Sequence, residues 1–247
     1  MSPPAPSFSI VVVTKNPGLP LREALASVWS QEGVTLELIV IDGASSDGTA
    51  EWLASERARI TVLVSEPDQG VYDAMNKALR LATGAWVYFL GADDRLVGTN
   101  LLSEILAWSR RSEAGVLCGE ISYSDGRIYK LHRAFNPVAR NFLHHQGAFY
   151  QRSLFLENGV FDTSLALMAD YDFNVRLWRA SVRFKAVPLA VARCASGGLS
   201  DAGGWNGYRE EIVVRHRYYG QFRCLPWDVL SLARYARKRV LRSIWRT

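Results

Sequence analysis

The chain has 247 residues, enough for one large domain or two small ones with a full core. Its 49% hydrophobic and 21% charged residues exclude a disordered chain and suit a soluble globular enzyme. The net charge of +5 is uneven: from Val214 onward nine Arg or Lys accompany one acid, Asp228, and the remainder carries 20 basic and 23 acidic residues, which excludes a general nucleic-acid-binding surface.

"FSIVVVT" (8–14) and "LELIVID" (36–42) are continuous apolar runs rich in β-branched residues, as expected for strands covered on both faces. "ITVLV" (60–64) and "AWVYFL" (85–90) read the same way. Between them, "LREALASVWSQ" (21–31) puts Leu21, Ala24, Leu25, Val28 and Trp29 on one helical face. "SSDGTAEWLASE" opens with capping residues and continues as a helix. "VYDAMNKALRLAT" (71–83) is a third helix, with Gly84 in the place of a C-cap. Alternating strands and helices predict a mostly parallel sheet with right-handed crossovers. Further on, "GVLCGEISYSDGRIYKL" (115–131) reads as a hairpin turning at Ser124-Asp125-Gly126. "HHQGAFYQRSLFLENGVFD" (144–162) is mixed, "ADYDFNVRLWRAS" (169–181) is a short amphipathic helix, and "ASGGLSDAGGWNG" (195–207) reads as a mobile Gly-rich loop.

Cys118, Cys194 and Cys224 are widely spaced and form neither a disulfide framework nor a CxxC metal site, which points to a reducing cytoplasm. The opening "MSPPAPSFSIVVVTKN" has no basic leader, and no run approaches the roughly 18 apolar residues that span a bilayer.

Ligands on parallel sheets gather at the carboxyl ends of strands. Thr14, Lys15 and Asn16 follow the first strand, Asp42 closes the second, Glu66 to Gln69 follow the third, and Asp93-Asp94 follow the fourth. A dinucleotide oxidoreductase needs GxGxxG after the first strand, which "VVVTKNPGLPLREA" lacks; no GxxxxGK[ST] occurs either. Adjacent acids at a strand end suit a bridging Mg²⁺ or Mn²⁺, which takes carboxylates together with substrate phosphates.

Six fragments, "VVVTKN", "ELIVIDGASSDGT", "SEPDQGVYDAMNKALRLATGAWVYFLGADD", "HHQGAFYQR", "GVFDTSLALMADYDFNVRL" and "GGLS", occur in the order found in glycosyltransferase family 2. Over about residues 8–200 the chain resembles this family of inverting nucleotide-sugar transferases, and within it the bacterial enzymes that build O-antigen, capsule or exopolysaccharide repeats. The resemblance implies an α/β GT-A fold over 1–210, with a nucleotide-sugar half (about 1–115) and an acceptor half (about 116–210), followed by a basic helical tail over 211–247. It implies that Thr14, Asn16 and Asp42 line the nucleoside pocket, that Asp93 faces the ribose, and that Asp94 binds the metal. Asp170 matches the family's general base, and His145-Gln146 its "HQ" element near the site.

Three departures stand out. Asp42 is followed by Gly43 where the family often has a second acid, Gly91 replaces the first acid of the DxD element, and Ala169 precedes Asp170 where an acid pair is usual. Several residues keep two readings. Asp42 is a ligand or a cap, Asp68 a donor contact or a turn residue after Pro67, and Asp170 a base or an N-cap. Mid-helix Asn76 reads as a polar donor-side contact, and Asp172 pairs with Arg176 at i,i+4. A nucleotidyltransferase or a non-catalytic sugar-nucleotide-binding protein are the competing functions.

In the tail, "WDVLSLARYARKRVLRSIWRT" sets Val229, Leu232, Ala233, Ala236, Val240 and Ile244 in one helical arc. Arg234, Lys238, Arg239, Arg242 and Arg246 fall opposite, with Trp227 and Trp245 near its ends. That pattern predicts peripheral binding to an anionic membrane, suited to a lipid-linked glycan acceptor at the inner face of a bacterial membrane. The alternative is that the apolar arc packs on the catalytic domain or on a second subunit, so a homo-oligomer stays open.

Overall fold

The computed structural model describes residues 6–131, 136–196 and 204–244, with side chains as far as residue 240. The first half alternates β1 (Phe8–Thr14), α1 (Pro20–Trp29), β2 (Leu36–Asp42), α2 (Thr49–Ser55), β3 (Val62–Ser65), α3 (Val71–Leu81) and β4 (Trp86–Gly91). The second half adds β5 (Arg95–Leu96), α4 (Leu101–Ser109), β6 (Val116–Tyr123), β7 (Ile128–Tyr129), β8 (Ala148–Gln151), α5 (Ser153–Asn158), α6 (Ala169–Arg179), β9 (Phe184–Cys194), α7 (Trp205–Tyr219) and α8 (Gln221–Ile244). One sheet runs β3-β2-β1-β4-β8-β6-β9-β5, with β7 paired to β6.

The four N-terminal strands are parallel, in a register that brings Thr14 beside Asp42 and Val13 beside Gly91. Beyond β4 the sheet is mixed: β8 is antiparallel to both β4 and β6, while β6 and β9 run parallel. The strand pleat explains why the apolar runs are continuous. Val11, Ile39 and Phe89 face one core with α3, α5 and α6, while Ile10, Val12, Leu38, Val40, Tyr88 and Leu90 face another with α1 and α4.

The C-cap expected at Gly84 is corrected. The α3 helix ends at Leu81 with extended Ala82 as its cap. Gly84 is required because β1 passes too close for a side chain: a Cβ there would lie 2.5 Å from the Ser9 nitrogen. Buried Glu37 ties this crossing together, accepting from Ser9 Oγ at 2.6 Å and from the Gly84 N–H at 2.9 Å.

Candidate functional site

The parallel strands end on one rim. After β1 the chain turns at Asn16, whose left-handed φ of 50° aims its amide at the loop after β2. Asn16 Oδ1 accepts the Ser46 N–H at 2.8 Å, and the Asn16 N–H donates to Ser45 Oγ at 2.7 Å. Thr14 takes the Gly43 N–H on its carbonyl at 2.8 Å, while its buried Oγ1 has no partner among the described residues. Asp42 is fully buried and accepts from the Ser45 N–H at 3.1 Å and from Ser65 Oγ at 2.6 Å. It braces the two loops on either side of it.

Asp68 accepts the Gly70 N–H at 2.9 Å, and a Cβ at Gly43 would lie 2.3 Å from its Oδ2. The glycine therefore makes room for a carboxylate from the β3–α3 loop at the end of β2. Asn76 is buried, its amide donating to the Phe161 carbonyl at 2.8 Å and accepting the Phe161 N–H at 3.0 Å. A buried amide with both ends engaged on backbone holds two segments together.

At the end of β4, Asp93 is exposed and Asp94 is buried. The chain turns through an Asp94 N–H to Gly91 carbonyl bond of 3.1 Å, which swings the Asp94 carboxylate back over Gly91. A Cβ at Gly91 would stand 2.3 Å from Asp94 Oδ2, so this placement needs a glycine there. The carboxylate accepts from the Gln146 side-chain amide and, at 2.9 Å, from the Ala195 N–H. Burial pushes its pKa up to about 6, against the pull of the Ala195 N–H.

Gln146 belongs to a single helical turn, His145–Gly147, fixed by Tyr88 Oη donating to the Gln146 carbonyl at 2.6 Å. The preceding residue in that turn reaches the other acid: His145 Nδ1 lies 3.4 Å from Asp170 Oδ2. One dipeptide thus joins the acid at the end of β4 to the acid at the start of α6. His144, stacked on His145 with ring centroids 5.5 Å apart, is held neutral by burial, which pushes its pKa down to about 3.

Asp170 sits in the first turn of α6 with a fully occupied carboxylate. Oδ1 accepts from Tyr72 Oη at 3.1 Å and the Tyr171 N–H at 2.8 Å; Oδ2 accepts from Asn141 Nδ2 at 3.2 Å. Burial works to raise its pKa, yet the hydrogen bond and charge of His145, with the Tyr171 N–H, outweigh it and hold the group below the usual carboxylate value. It is ionised at neutral pH. Asp172 points elsewhere, to Arg176 at 3.1 Å as expected, and also to Arg217 at 2.7 Å and Tyr218 at 2.9 Å.

Sequence reasoning missed Tyr72, Asn141 and Glu210. The Glu210 carboxylate collects the N–H groups of Ala166, Leu167 and Met168 at 2.8 to 3.1 Å, fixing the segment that enters α6. None of the three carried a local signal, because each acts on a residue at least 29 positions away. Among the described residues no group of three or more His, Cys, Asp or Glu is arranged to hold a metal. The "GGLS" fragment and most of the 195–207 loop lie outside the described residues.

The boundary expected at 210/211 falls inside α7, and Gly220 (φ 76°) separates α7 from α8. The α8 helix docks by its polar side. Arg215, fully buried, reaches Asp228 and donates to Ser231 Oγ at 3.0 Å, while Arg234 donates to Glu211 at 2.7 Å. Arg234 therefore faces protein, which corrects its place on the solvent side. Val229 (66% exposed) and Leu232 (48%), two members of the apolar arc, point outward. Arg242, Ile244, Trp245 and Arg246 lie outside the described side chains.

A parallel α/β half whose strand ends gather acids, faced by a helix presenting a further acid, defines a glycosyltransferase of the GT-A fold. The chain belongs to glycosyl transferase family 2, whose model matches residues 9–174. It is 35% identical over 181 residues, 70% of each chain, to a PGL/p-HBAD biosynthesis glycosyltransferase of Mycobacterium bovis (strain BCG / Pasteur 1173P2). Among the solved structures that share its fold are two nucleotide-sugar complexes. The S. aureus TarS 1-349 complex with UDP-GlcNAc has a TM-score of 0.70 at 17% identity, covering 93% of this chain and 80% of that one. Against the longer crystallised TarS chain, this protein spans 39% of the length. The mannosyltransferase PcManGT from Pyrobaculum calidifontis, in complex with GDP-Man and Mn²⁺, has a TM-score of 0.64 at 20% identity, covering 94% and 76%.

Proposed function

We propose that this glycosyltransferase moves a sugar from a nucleotide-diphosphate sugar to a hydroxyl of a lipid-linked glycan, with inversion, in cell-surface polysaccharide assembly. The observation that carries the reading is the His145-Gln146 turn, which couples Asp94 at the donor rim to Asp170 on the acceptor side. In this reading Thr14, Asn16 and Asp42 line the nucleoside end of that rim, Asp68 contacts the donor and Asp93 faces the ribose.

The residues at the end of β4 fit a divalent ion, Mg²⁺ or Mn²⁺. Asp94 is a buried carboxylate at the strand end, its pKa pushed up to about 6 by burial, and a neutral Gln146 amide stands against it. Such ions need only one or two carboxylates when substrate phosphates supply further oxygens. When bound, the ion would offset charge gathering on the departing diphosphate. The chain's own contribution is on the acceptor side. Asp170, ionised and held by four donors, supplies the basicity that draws the proton from the attacking hydroxyl.

The cations of α8 and its outward apolar residues support a peripheral site on the inner face of the bacterial membrane. No helix among the described residues is long and apolar enough to cross one. Phosphatidylglycerol vesicles should retain the full chain in low salt and release it in high salt, whereas removing residues 227–247 should abolish binding. Equal binding by both forms would remove this role.

A panel of UDP-, GDP- and dTDP-sugars with Mn²⁺ tests the chemistry directly. Nucleoside diphosphate should appear with one donor class, and NMR of the product should show inverted configuration. A retained configuration would overturn the single-displacement reading.

A further inference from the structure

Resting on that transfer reading, we propose that Arg215 of α7 is a positioning residue for Asp170, acting through segment 137–141, so that the docked α8 helix is part of the acceptor half. Segment 137–141 forms neither helix nor strand, and no ladder of backbone hydrogen bonds sets its place. Side chains set it instead. Arg215 Nε donates to the Val138 carbonyl at 2.6 Å, and its Nη2 donates to the Ala139 carbonyl at 3.2 Å. Tyr171, the residue after Asp170, donates its hydroxyl to the Pro137 carbonyl.

Asn141 follows two residues after Ala139. Its Oδ1 accepts the Leu143 N–H at 3.3 Å, which leaves the amide nitrogen to α6, where Nδ2 donates to Asp170 Oδ2 at 3.2 Å. The path from the guanidinium to the carboxylate is therefore short. It runs through two carbonyls, one intervening residue and one amide. A catalytic group works only in its productive orientation, and a misplacement of about 1 Å can cost a hundredfold in rate. Arg215 holds the backbone that carries the Asn141 amide, and that amide helps to orient the carboxylate.

The guanidinium is held in turn from the tail. Arg215 is fully buried, so its charge needs partners on the spot. Asp228 of α8 pairs with Nη1, Ser231 Oγ of α8 accepts from Nη2 at 3.0 Å, and Glu211 of α7 lies 3.5 Å from Nη2. The planar fork of an arginine can hold two carbonyls and a carboxylate at once, whereas a lysine ammonium is a point charge. The loop, α7 and α8 meet at this one group. The same helix grips the chain on the other side of Asp170, where Glu210 collects the N–H groups of Ala166, Leu167 and Met168.

Variants of the full chain test the link. Arg215→Lys keeps the charge and loses the fork, Asn141→Ala removes the amide, and the double variant combines them. Arg234→Gln is the control, because it breaks the α7–α8 ion pair with Glu211 and touches no carbonyl of segment 137–141. The readouts are nucleoside diphosphate release from the sugar nucleotide that the wild type uses in Mn²⁺, with octyl glycosides as acceptors, calorimetric binding of that nucleotide, and amide hydrogen exchange. Arg215→Lys and Asn141→Ala should each lose about tenfold in turnover number, the scale of one hydrogen bond to a charged group, and bind nucleotide within about twofold of wild type. The double variant should lose no more than Asn141→Ala alone, because the arginine acts through the amide. In Arg215→Lys the amides of Val138, Ala139 and Leu143 should exchange about tenfold faster or more. Arg234→Gln should lower the melting temperature yet leave turnover and this exchange within about twofold. Losses that multiply in the double variant, or an equal loss of turnover in Arg234→Gln, would make Arg215 a stabilising residue only and overturn the proposal. Wild-type turnover in Asn141→Ala, which alters no buried charge, would overturn it whatever Arg215→Lys does. Failure of the variants alone leaves the transfer reading standing, whereas a wild-type chain that releases nucleotide from no donor would overturn that reading and this proposal with it.

Discussion

Replacing Asp94 by asparagine should stabilise the ligand-free protein at neutral pH and not at acid pH. The carboxylate is 1% exposed, and burial raises its pKa from the ordinary 3.8 to about 6. A folded state that holds the proton more tightly than the unfolded chain is most stable below the unfolded pKa. That stability is lost as pH rises through the folded pKa. The window therefore runs from 3.8 to about 6. At about 1.4 kcal/mol per pH unit, the ionised carboxylate costs about 3 kcal/mol above the window.

The amide introduced by Asp94→Asn would have one oxygen for two donors, the Gln146 amide and the Ala195 N–H. Leaving one of them without an acceptor costs about 1–2 kcal/mol, so the net gain is about 1–2 kcal/mol. For a chain of this length that is roughly 2–8 °C in melting temperature. The assay is a pair of melting curves at pH 4 and pH 7.5. The difference between variant and wild type cancels every other titrating group, and it should be near zero or negative at pH 4 and positive at pH 7.5. A difference independent of pH would refute the argument. Adding Mn²⁺ with UDP or GDP should raise the wild-type melting temperature and leave the variant's unchanged.

Gly91→Ala should push the Asp94 carboxylate off its two donors, because the new Cβ would lie 2.3 Å from Oδ2; the melts of this variant should lose the pH 4 to 7.5 contrast that Asp94→Asn reveals. Gly84→Ala meets β1 backbone at 2.5 Å, with no flexible side chain to move, and should cost about 3 kcal/mol or more by chemical denaturation. Asp170→Asn should leave nucleotide affinity intact by calorimetry while transfer falls about a hundredfold or more. Asp228→Asn removes a partner of fully buried Arg215 and should lower stability by about 3 kcal/mol, read as a shifted denaturant midpoint.

The donor half was legible because its strands are buried on both faces and its helices carry one apolar stripe each. The later elements were not. The α7 helix went unread because the side chains it buries include Glu210, Glu211 and Arg215, which in sequence look like a solvated surface. Strand β9 contains Pro188 and a mixed burial pattern, so it lacks the alternation that marks a strand. Short, largely apolar α4 packs under the sheet through Leu101, Leu102 and Ile105, and the Asn100 at its N-cap makes no side-chain cap hydrogen bond. In the tail the helix was legible but its docking side was not. Hydropathy assigned the apolar arc, whereas the ion pairs of Arg215 and Arg234, set by residues in α7, decide which side faces the protein.

The three departures from the family pattern share a physical explanation. At the ends of β2 and β4 the absent acids are glycines, Gly43 and Gly91, and each glycine is the place over which another carboxylate folds. Asp68 crosses Gly43 from the following loop, and Asp94 crosses Gly91 from three residues downstream, each within 2.3 Å of where a Cβ would stand. An acid at either position would collide with the carboxylate already there and add a second negative charge beside it. The third departure, Ala169, is fully buried in the core beside α3 and α5, where an acid would have to be desolvated. The partner that Asp170 lacks in sequence is supplied in space, by Tyr72, Asn141 and His145. The site keeps its charges by moving them to residues that a linear motif does not join, and that is why a pattern of acids along the chain locates the rim better than it counts the groups upon it.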